Sequence, residues 1–317
     1  MTTLRHETDN RVSAVPAGSV GSANAASPAR PRPPLWEPRA LAGGALAGLA
    51  VLLLGLVTNM VILSPLSERA AQQRGFDTLR NELALGTAPV SQTGSNGELL
   101  PLGTPVAVLN IPEMGLSDEV VSEGTTPSVM TRGPGHRRDT VLPGQAGVSV
   151  IYGRQAAYGG PFARLGNLAV GDTFTSVTGQ GVATYRVIDR RVAGSLEPPP
   201  LGQGQGRITL VTAIGTPFIP DGILYVDAQL TTPVQPTPGE GFTTANLTSP
   251  ELELGTDTST VWELVLWMQA LIVVVVGAVW AWYRWGRWQA WIVFAPLTLL
   301  VGLYVAGQVT LLLPNLI

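Results

Sequence analysis

The 317-residue chain is 45% hydrophobic and only 13% charged, with 37 Gly, 26 Pro, a formal net charge of −3, no Cys and no Lys. Without Cys there is no disulfide, no Cys-ligated zinc or iron–sulfur site, and no thiol nucleophile. So small a net charge excludes general nucleic-acid binding, and a mean hydropathy of +0.26 points to membrane segments beside one mid-sized domain.

Residues 1–39 are rich in Ala, Pro, Ser, Gly and Arg, show no apolar period, and read as a disordered tail. Residues 40–63 carry no charge. At ~1.5 Å per residue they reach ~36 Å, enough to cross a ~30 Å hydrocarbon core. This run is longer than a signal-peptide core, follows 39 residues rather than a short basic start, and has no small-x-small site after it, so it reads as an uncleaved anchor. Its Gly43, Gly44, Ala47 and Gly48 either admit a close helix neighbour or are ordinary lipid-facing composition. Residues 64–100 read as a helical stalk (66–85) and a Gly/Ser/Thr linker (86–100), and residues 231–260 as an extended Pro/Thr-rich tether. Two further apolar spans, 261–283 and 289–313, are joined by Arg284-Trp285-Gly286-Arg287. Arg5, Arg11, Arg30, Arg32 and Arg39, together with Arg284 and Arg287, place the tail and this turn in the cytoplasm and residues 64–260 outside a plasma membrane crossed three times. Trp262, Trp267, Trp280, Trp282, Trp285, Trp288 and Trp291 near the ends of the last two spans fit interfacial anchoring.

The outer core, 101–230, reads as all-β. Strand character appears at 105–111, 147–152, 172–178, 183–192, 207–214 and 223–230, punctuated by Gly, Pro and Asp, and Phe162, Leu165 and Leu168 suggest a short helix over 161–168. This length supports one β-barrel with its own core. Composition and period name no activity.

The order of short motifs does. Ile111-Pro112-Glu113-Met114-Gly115-Leu116, then Val120 and Glu123-Gly124-Thr125, then Gly133-Pro134-Gly135-His136 and Leu142-Pro143-Gly144-Gln145-Ala146-Gly147, are followed by Tyr158-Gly159-Gly160-Pro161-Phe162 and Gly171-Asp172. Tyr185-x-Val187, Leu210-Val211-Thr212 and Leu224-Tyr225-Val226 close the series. In this order the motifs resemble sortases, in particular the actinobacterial, class E-like type, over roughly 101–230. The resemblance implies a membrane-anchored extracellular β-barrel of about eight strands with short helices. It implies a reaction in which a Cys thiolate attacks a sorting signal, a His handles the proton on the amine, and an Arg stabilises the developing charge. The family's His stands seven residues before the Pro of Pro-Phe; that position is Arg154. Its Cys follows Leu-x-Thr; that position is Ala213, after Thr212. Its Arg opens the last strand; that position is Ile223.

Ala213 has no lone pair to attack a carbonyl, Arg154 stays protonated and cannot act as a general base, and Ile223 offers no donor, so the covalent route is closed and no catalytic residue is assigned. Arg154, Thr212, Ala213 and Ile223 are expected to line a degenerate groove. Arg154 could hold a carboxylate there, plug the cleft against Asp189 or Asp221, or be a solvated rim residue. No His/Asp/Glu cluster has metal spacing and no cofactor is implied. Between 64 and 260 there are 12 Arg against 18 Asp and Glu, which gives no pull toward anionic wall polymers. The reading is a degenerate, non-catalytic sortase-like membrane protein that binds or scaffolds a cell-surface or secreted protein, or an active sortase. The alternative is a transpeptidase or hydrolase that works through non-standard residues, with His136, Thr212 or Ser149 as candidates. A third reading gives the role to helix packing among the three spans.

Overall fold

A computed structural model describes residues 38–94, 97–238 and 242–317. The tail expected over 1–39 therefore falls, up to residue 37, outside the described residues. From Pro38 the chain is helical without interruption to Leu85, as α1 (Pro38–Thr58), a π-helical stretch (Asn59–Leu63) and α2 (Ser64–Leu85). Pro65 lacks the N–H that would close the preceding turn, and the widened stretch lies in that turn. Gly86, at φ 69°, ends α2 in the left-handed conformation.

Residues 66–85 were expected to rise as a helical stalk. Instead α2 lies along the outside of a barrel. Leu79 is fully buried against Val108 and Val120. Gln72 extends the neighbouring strand's hydrogen bonding, because its Nε2 donates to the Val120 and Arg132 carbonyls (3.0 and 2.7 Å) and its Oε1 accepts from the Val120 N–H (2.6 Å).

The barrel is built from β1 (Pro105–Ile111), β2 (Leu116–Glu123), β3 (Gly135–His136), β4 (Gly147–Tyr152), β5 (Thr173–Thr178), β6 (Gly181–Val192), β7 (Gly206–Thr216) and β8 (Ile219–Leu230). It closes in the order β1-β2-β3-β4-β7-β8-β6-β5. Closure leaves no edge to template another chain. The inward residues of this ring, among them Leu109, Ile151, Phe174, Tyr185, Leu210 and Val226, form one apolar core. β5 and β6 follow a clean alternation, whereas β1, β7 and β8 carry runs of successive buried residues, because α2 covers Val108 on the outside of the barrel and Leu316 covers Val211 and Ala213. In β2, Ser117 and Asp118 are exposed in succession and the buried half of the strand begins at Val120. The helix expected over 161–168 is a 3₁₀ turn at Leu165–Asn167. Phe162, Leu165 and Leu168 are nonetheless all fully buried, since a spacing of three suits a 3₁₀ turn as well as it suits an α-helix.

The stretch 231–260, expected as an extended tether, is laid against the barrel. Phe242 is buried under the Arg138 guanidinium, 4.4 Å from its ring centroid, and Thr237 donates to the Ala146 carbonyl (3.0 Å). Then come α3 (Val261–Arg284) and α4 (Arg287–Leu311). Among the described residues, three helices are long and apolar enough to cross a membrane. They share a cluster of Leu271, Val301 and Val305 with Leu52, Leu264 and Trp267 around it. The close approach falls at Gly55, where an added β carbon would sit 3.5 Å from the Gly302 backbone, and not at Gly43, which faces open space.

His136 ties β3 into this frame. It is fully buried; Nδ1 faces Glu123 Oε2 at 2.9 Å, and Nε2 faces the Val141 carbonyl at 2.9 Å and Thr140 Oγ1 at 3.2 Å. With a carboxylate on one ring nitrogen and a carbonyl on the other, both nitrogens are called on to donate, which selects the imidazolium. Burial opposes that charge most strongly, and Glu123, the Val141 carbonyl and Asp139 together outweigh it, so the His136 pKa is raised above 6.5. A raised folded-state pKa means that the pair's stabilisation is complete below the unfolded value of about 6.5 and is lost as pH climbs above it, through the raised folded-state pKa. The unfolding free-energy gap between the natural protein and His136→Gln should therefore be widest below pH 6.5 and narrow steadily on the alkaline side, as read by denaturant titration at a series of pH values.

Candidate functional site

Strands β4 and β7 run parallel, with Tyr152 beside Val211. Just beyond, the Gly153 N–H donates to the Val211 carbonyl (2.9 Å) and Thr212 Oγ1 donates to the Gly153 carbonyl (2.8 Å). Only glycine fits here, because a β carbon at Gly153 would run into the Phe162 ring. The chain then bends and carries Arg154 into the interior, where none of it is exposed.

Arg154 Nε donates to the Met130 carbonyl (3.1 Å) and Nη2 to the Pro127 carbonyl (3.0 Å). Its Nη1 donates to the main-chain oxygens of Ile317 (2.8 Å) and Pro314 (3.3 Å). The guanidinium lies 5.2 Å from the Tyr158 ring centroid. Burial lowers its pKa to about 10 and the Tyr158 interaction partly offsets this, so it stays protonated at neutral pH. The expectations of a solvated rim residue and of an ion pair to Asp189 or Asp221 are corrected. Arg154 is wholly buried, and its partners are main-chain oxygens and a ring. Asp189 instead accepts from the Arg190 N–H, and Asp221 packs at Gly215.

Ala213 on β7 and Ile223 on β8 are direct cross-strand partners. Both belong to an apolar cluster with Met130, Tyr152, Val211 and Leu316. Leu316 comes from the stretch that follows α4, and it is fully buried. Residues 314–317 lie along the surface these positions form. The Gln155 N–H donates to the Leu316 carbonyl (3.0 Å) and the Asn315 N–H to the Gly255 carbonyl (3.0 Å). Asn315 Nδ2 reaches the Thr125 and Leu252 carbonyls (2.8 Å each) and the Pro250 carbonyl (3.4 Å). Arg154, Ala213 and Ile223 thus gather around one short segment of the same chain.

Thr212 is turned away from this surface by its bond to Gly153, and His136 is committed to Glu123 and Val141. Ser149 is buried on β4 with its hydroxyl unpartnered, so no base activates it. Among the described residues no group of three or more His, Asp or Glu could hold a metal ion. The arrangement offers a buried cation, main-chain donors and acceptors and an apolar wall. These groups can hold an extended peptide, but they provide no nucleophile–base pair.

Sequence reasoning missed Met130, Tyr158 and the whole of 314–317. Tyr158 sits at φ 51°, uncommon for a side-chain-bearing residue, and Gly159 and Gly160 follow at φ 77° and 55°. It joins the Arg154 loop to two helix ends, since its N–H donates to Ser64 Oγ (3.3 Å) and its hydroxyl meets Thr310 Oγ1 (2.8 Å). The available signal for 314–317 was Asn315, a lone amide in an otherwise apolar run.

The sortase domain family model matches residues 109–217, from β1 to just past the end of β7. Similar solved structures include a Clostridium perfringens sortase D5 transpeptidase, 19% identical over 51% of this chain and 99% of that one, with a TM-score of 0.43. A mutant sortase E from Streptomyces avermitilis is 29% identical over 42% of this chain and 91% of that one, with a TM-score of 0.36. Sortase C-1 from Actinomyces oris is 28% identical over 40% and 75%, also with a TM-score of 0.36. No curated protein sequence matches the chain.

Two substitutions test the site's construction. Gly153→Ala should destabilise the barrel by about 1–3 kcal/mol through the clash with Phe162, read as a lower thermal midpoint. Arg154→Ala strips four carbonyls of their donor and should cost about 3 kcal/mol, with amide hydrogen exchange at 315–317 rising well ahead of exchange in β7.

Proposed function

We propose that this chain is a degenerate, non-catalytic sortase-like protein of the plasma membrane, whose barrel stands outside the cell and binds or scaffolds a protein partner by its peptide groove. One observation carries the reading: the surface that Arg154, Ala213 and Ile223 share has no nucleophile and no base, and the chain's own residues cover it. The resemblance to class E-like sortases puts the missing His, Cys and Arg at those three positions. A sortase-type acyl transfer needs a thiolate, and there is no Cys anywhere in the chain. The barrel architecture survives without the reacting groups, which is what selection for binding alone would leave. The N-terminal tail and the turn at 284–287 lie on the cytoplasmic side in this reading, on the strength of their Arg residues.

The protein in detergent, incubated with sorting-signal peptides and an amine acceptor, should yield neither acyl transfer nor hydrolysis by mass spectrometry. Turnover that vanishes on Thr212→Val or His136→Gln would establish the enzyme reading instead. Because the chain has no Cys, topology can be read from single introduced thiols. Leu196→Cys, at a position 93% exposed on the barrel, should react with a membrane-impermeant maleimide on intact cells. Trp285→Cys should react only after the membrane is opened.

A further inference from the structure

The groove's demand for acceptors is larger than the barrel supplies. Of the four main-chain oxygens on the Arg154 guanidinium, the Pro127 and Met130 carbonyls belong to the loop between β2 and β3, and those of Pro314 and Ile317 belong to the segment after α4. Take that segment away and a buried cation loses half its partners, which is costly in a site where water is excluded. The Gln155 N–H and the Thr125 and Leu252 carbonyls lose a partner at the same time. The apolar cluster of Met130, Tyr152, Val211, Ala213 and Ile223 loses Leu316. Each of residues 314–317 is held the way a ligand is held, by its main chain, by one amide and by one aliphatic anchor.

We infer that this groove is a peptide-binding site for a proline-led segment of the form Pro-Asn-aliphatic-aliphatic, presented just outside the membrane at the end of a transmembrane helix, and that residues 314–317 are its ligand in cis. The occupant's chemistry is read from the one it holds. Proline leads without an N–H to satisfy, the Asn amide meets three carbonyls, Leu316 enters the apolar cluster, and the oxygens of the first and last residues cap the guanidinium. The position is set by reach: α4 ends at Leu311, and five residues can span at most about 18 Å to Leu316. Tyr158, beside Arg154, touches Ser64 and Thr310, so the groove opens among the outer ends of the spans and not at the far end of the barrel. A partner in trans is therefore a membrane protein whose juxtamembrane segment has this chemistry. The inference rests on the reading that the barrel binds and does not cleave.

The test uses the full chain in detergent and a fluorescent hexapeptide, Leu-Leu-Pro-Asn-Leu-Ile, as probe. The tethered segment competes at the high effective concentration of a short linker, so the natural protein should take up the probe weakly, and Leu316→Asp, which expels the tail from the apolar cluster, should bind it at least about tenfold tighter. A probe with Asn replaced by Ala leaves the protein untouched and should bind the Leu316→Asp protein about tenfold more weakly, because three carbonyls lose their donor. A folded Leu316→Asp protein, judged by native circular dichroism and a single cooperative melting transition, that ignores the probe would overturn the inference. So would equal binding of the two probes, or tail exchange between two copies without probe uptake. Mass spectrometry of the same samples separates the two levels: a cleaved probe defeats the non-catalytic reading, whereas an intact, unbound probe defeats only this inference.

Discussion

A guanidinium sealed inside the protein, with no Asp or Glu paired to it among the described residues, is the constraint around which the rest of the site is arranged. Main-chain oxygens solvate it where an acidic side chain could have stood. That choice requires several acceptors aimed at one point, and the structure collects them from the loop after β2 and from the segment after α4. The Tyr158 face adds a further, directional attraction. Five N–H groups in a fixed fork define where each acceptor must be, so Arg154 positions two distant chain segments against each other. Lys in its place would offer three donors on a flexible stem and no planar fork to fix them.

The same residue couples the barrel to the membrane helices. Tyr158 stands at the meeting point of Ser64, where α2 begins, and Thr310, in the last turn of α4. The seating of 314–317 then depends on where α4 ends relative to α1, and that is set by the close approach of Gly55 and Gly302 and by the Leu271–Val301–Val305 cluster. A shift in the helix bundle would be felt first at the hydrogen bonds of Asn315 and Arg154, because only a few residues without regular structure intervene. Barrel and bundle are thus not two independent bodies joined by a flexible tether. The stretch 231–260, packed against the barrel through Phe242 and Thr237, adds a second connection of the same kind.

Most of the barrel was legible from short β-branched runs punctuated by Gly, Pro and Asp, while a clean burial period of two survives only in β5 and β6. Elsewhere both faces of the sheet are covered, by α2 over Val108 and Val120 and by Leu316 over Val211 and Ala213. β2 exposes Ser117 and Asp118 in succession and then buries four residues in a row, and β3 is two residues long and has no period to detect. The stalk's helix was readable from composition but its packing was not, since Gln72 earns its place through backbone groups of β2 that no pattern in α2 announces. At the site, the order of motifs singled out Arg154, Ala213 and Ile223, and the pairing of Ala213 with Ile223 follows from the register of β7 and β8. The burial of Arg154 was not legible, because a charged side chain is nearly always an exposed one and its acceptors are carbonyls, which every residue carries. Residues 314–317 were hidden for a related reason. An apolar run after an apolar span looks like more span, and only the amide of Asn315 marks the change.

The residues at positions 154, 213 and 223 also form a mutually consistent set. A thiol at position 213 would have to ionise to attack a carbonyl, and it would do so inside an apolar cluster that disfavours the anion. No base stands beside it, since Arg154 holds its proton and His136 is occupied by Glu123 and Val141. What the set does favour is retention of a peptide. An aliphatic wall at Ala213 and Ile223 rewards an aliphatic side chain, and a buried Arg154 rewards main-chain oxygens that do not depend on sequence. Asn315 supplies the discrimination, because its amide must satisfy the Thr125, Pro250 and Leu252 carbonyls together, and a residue without that donor would leave buried acceptors unpaired.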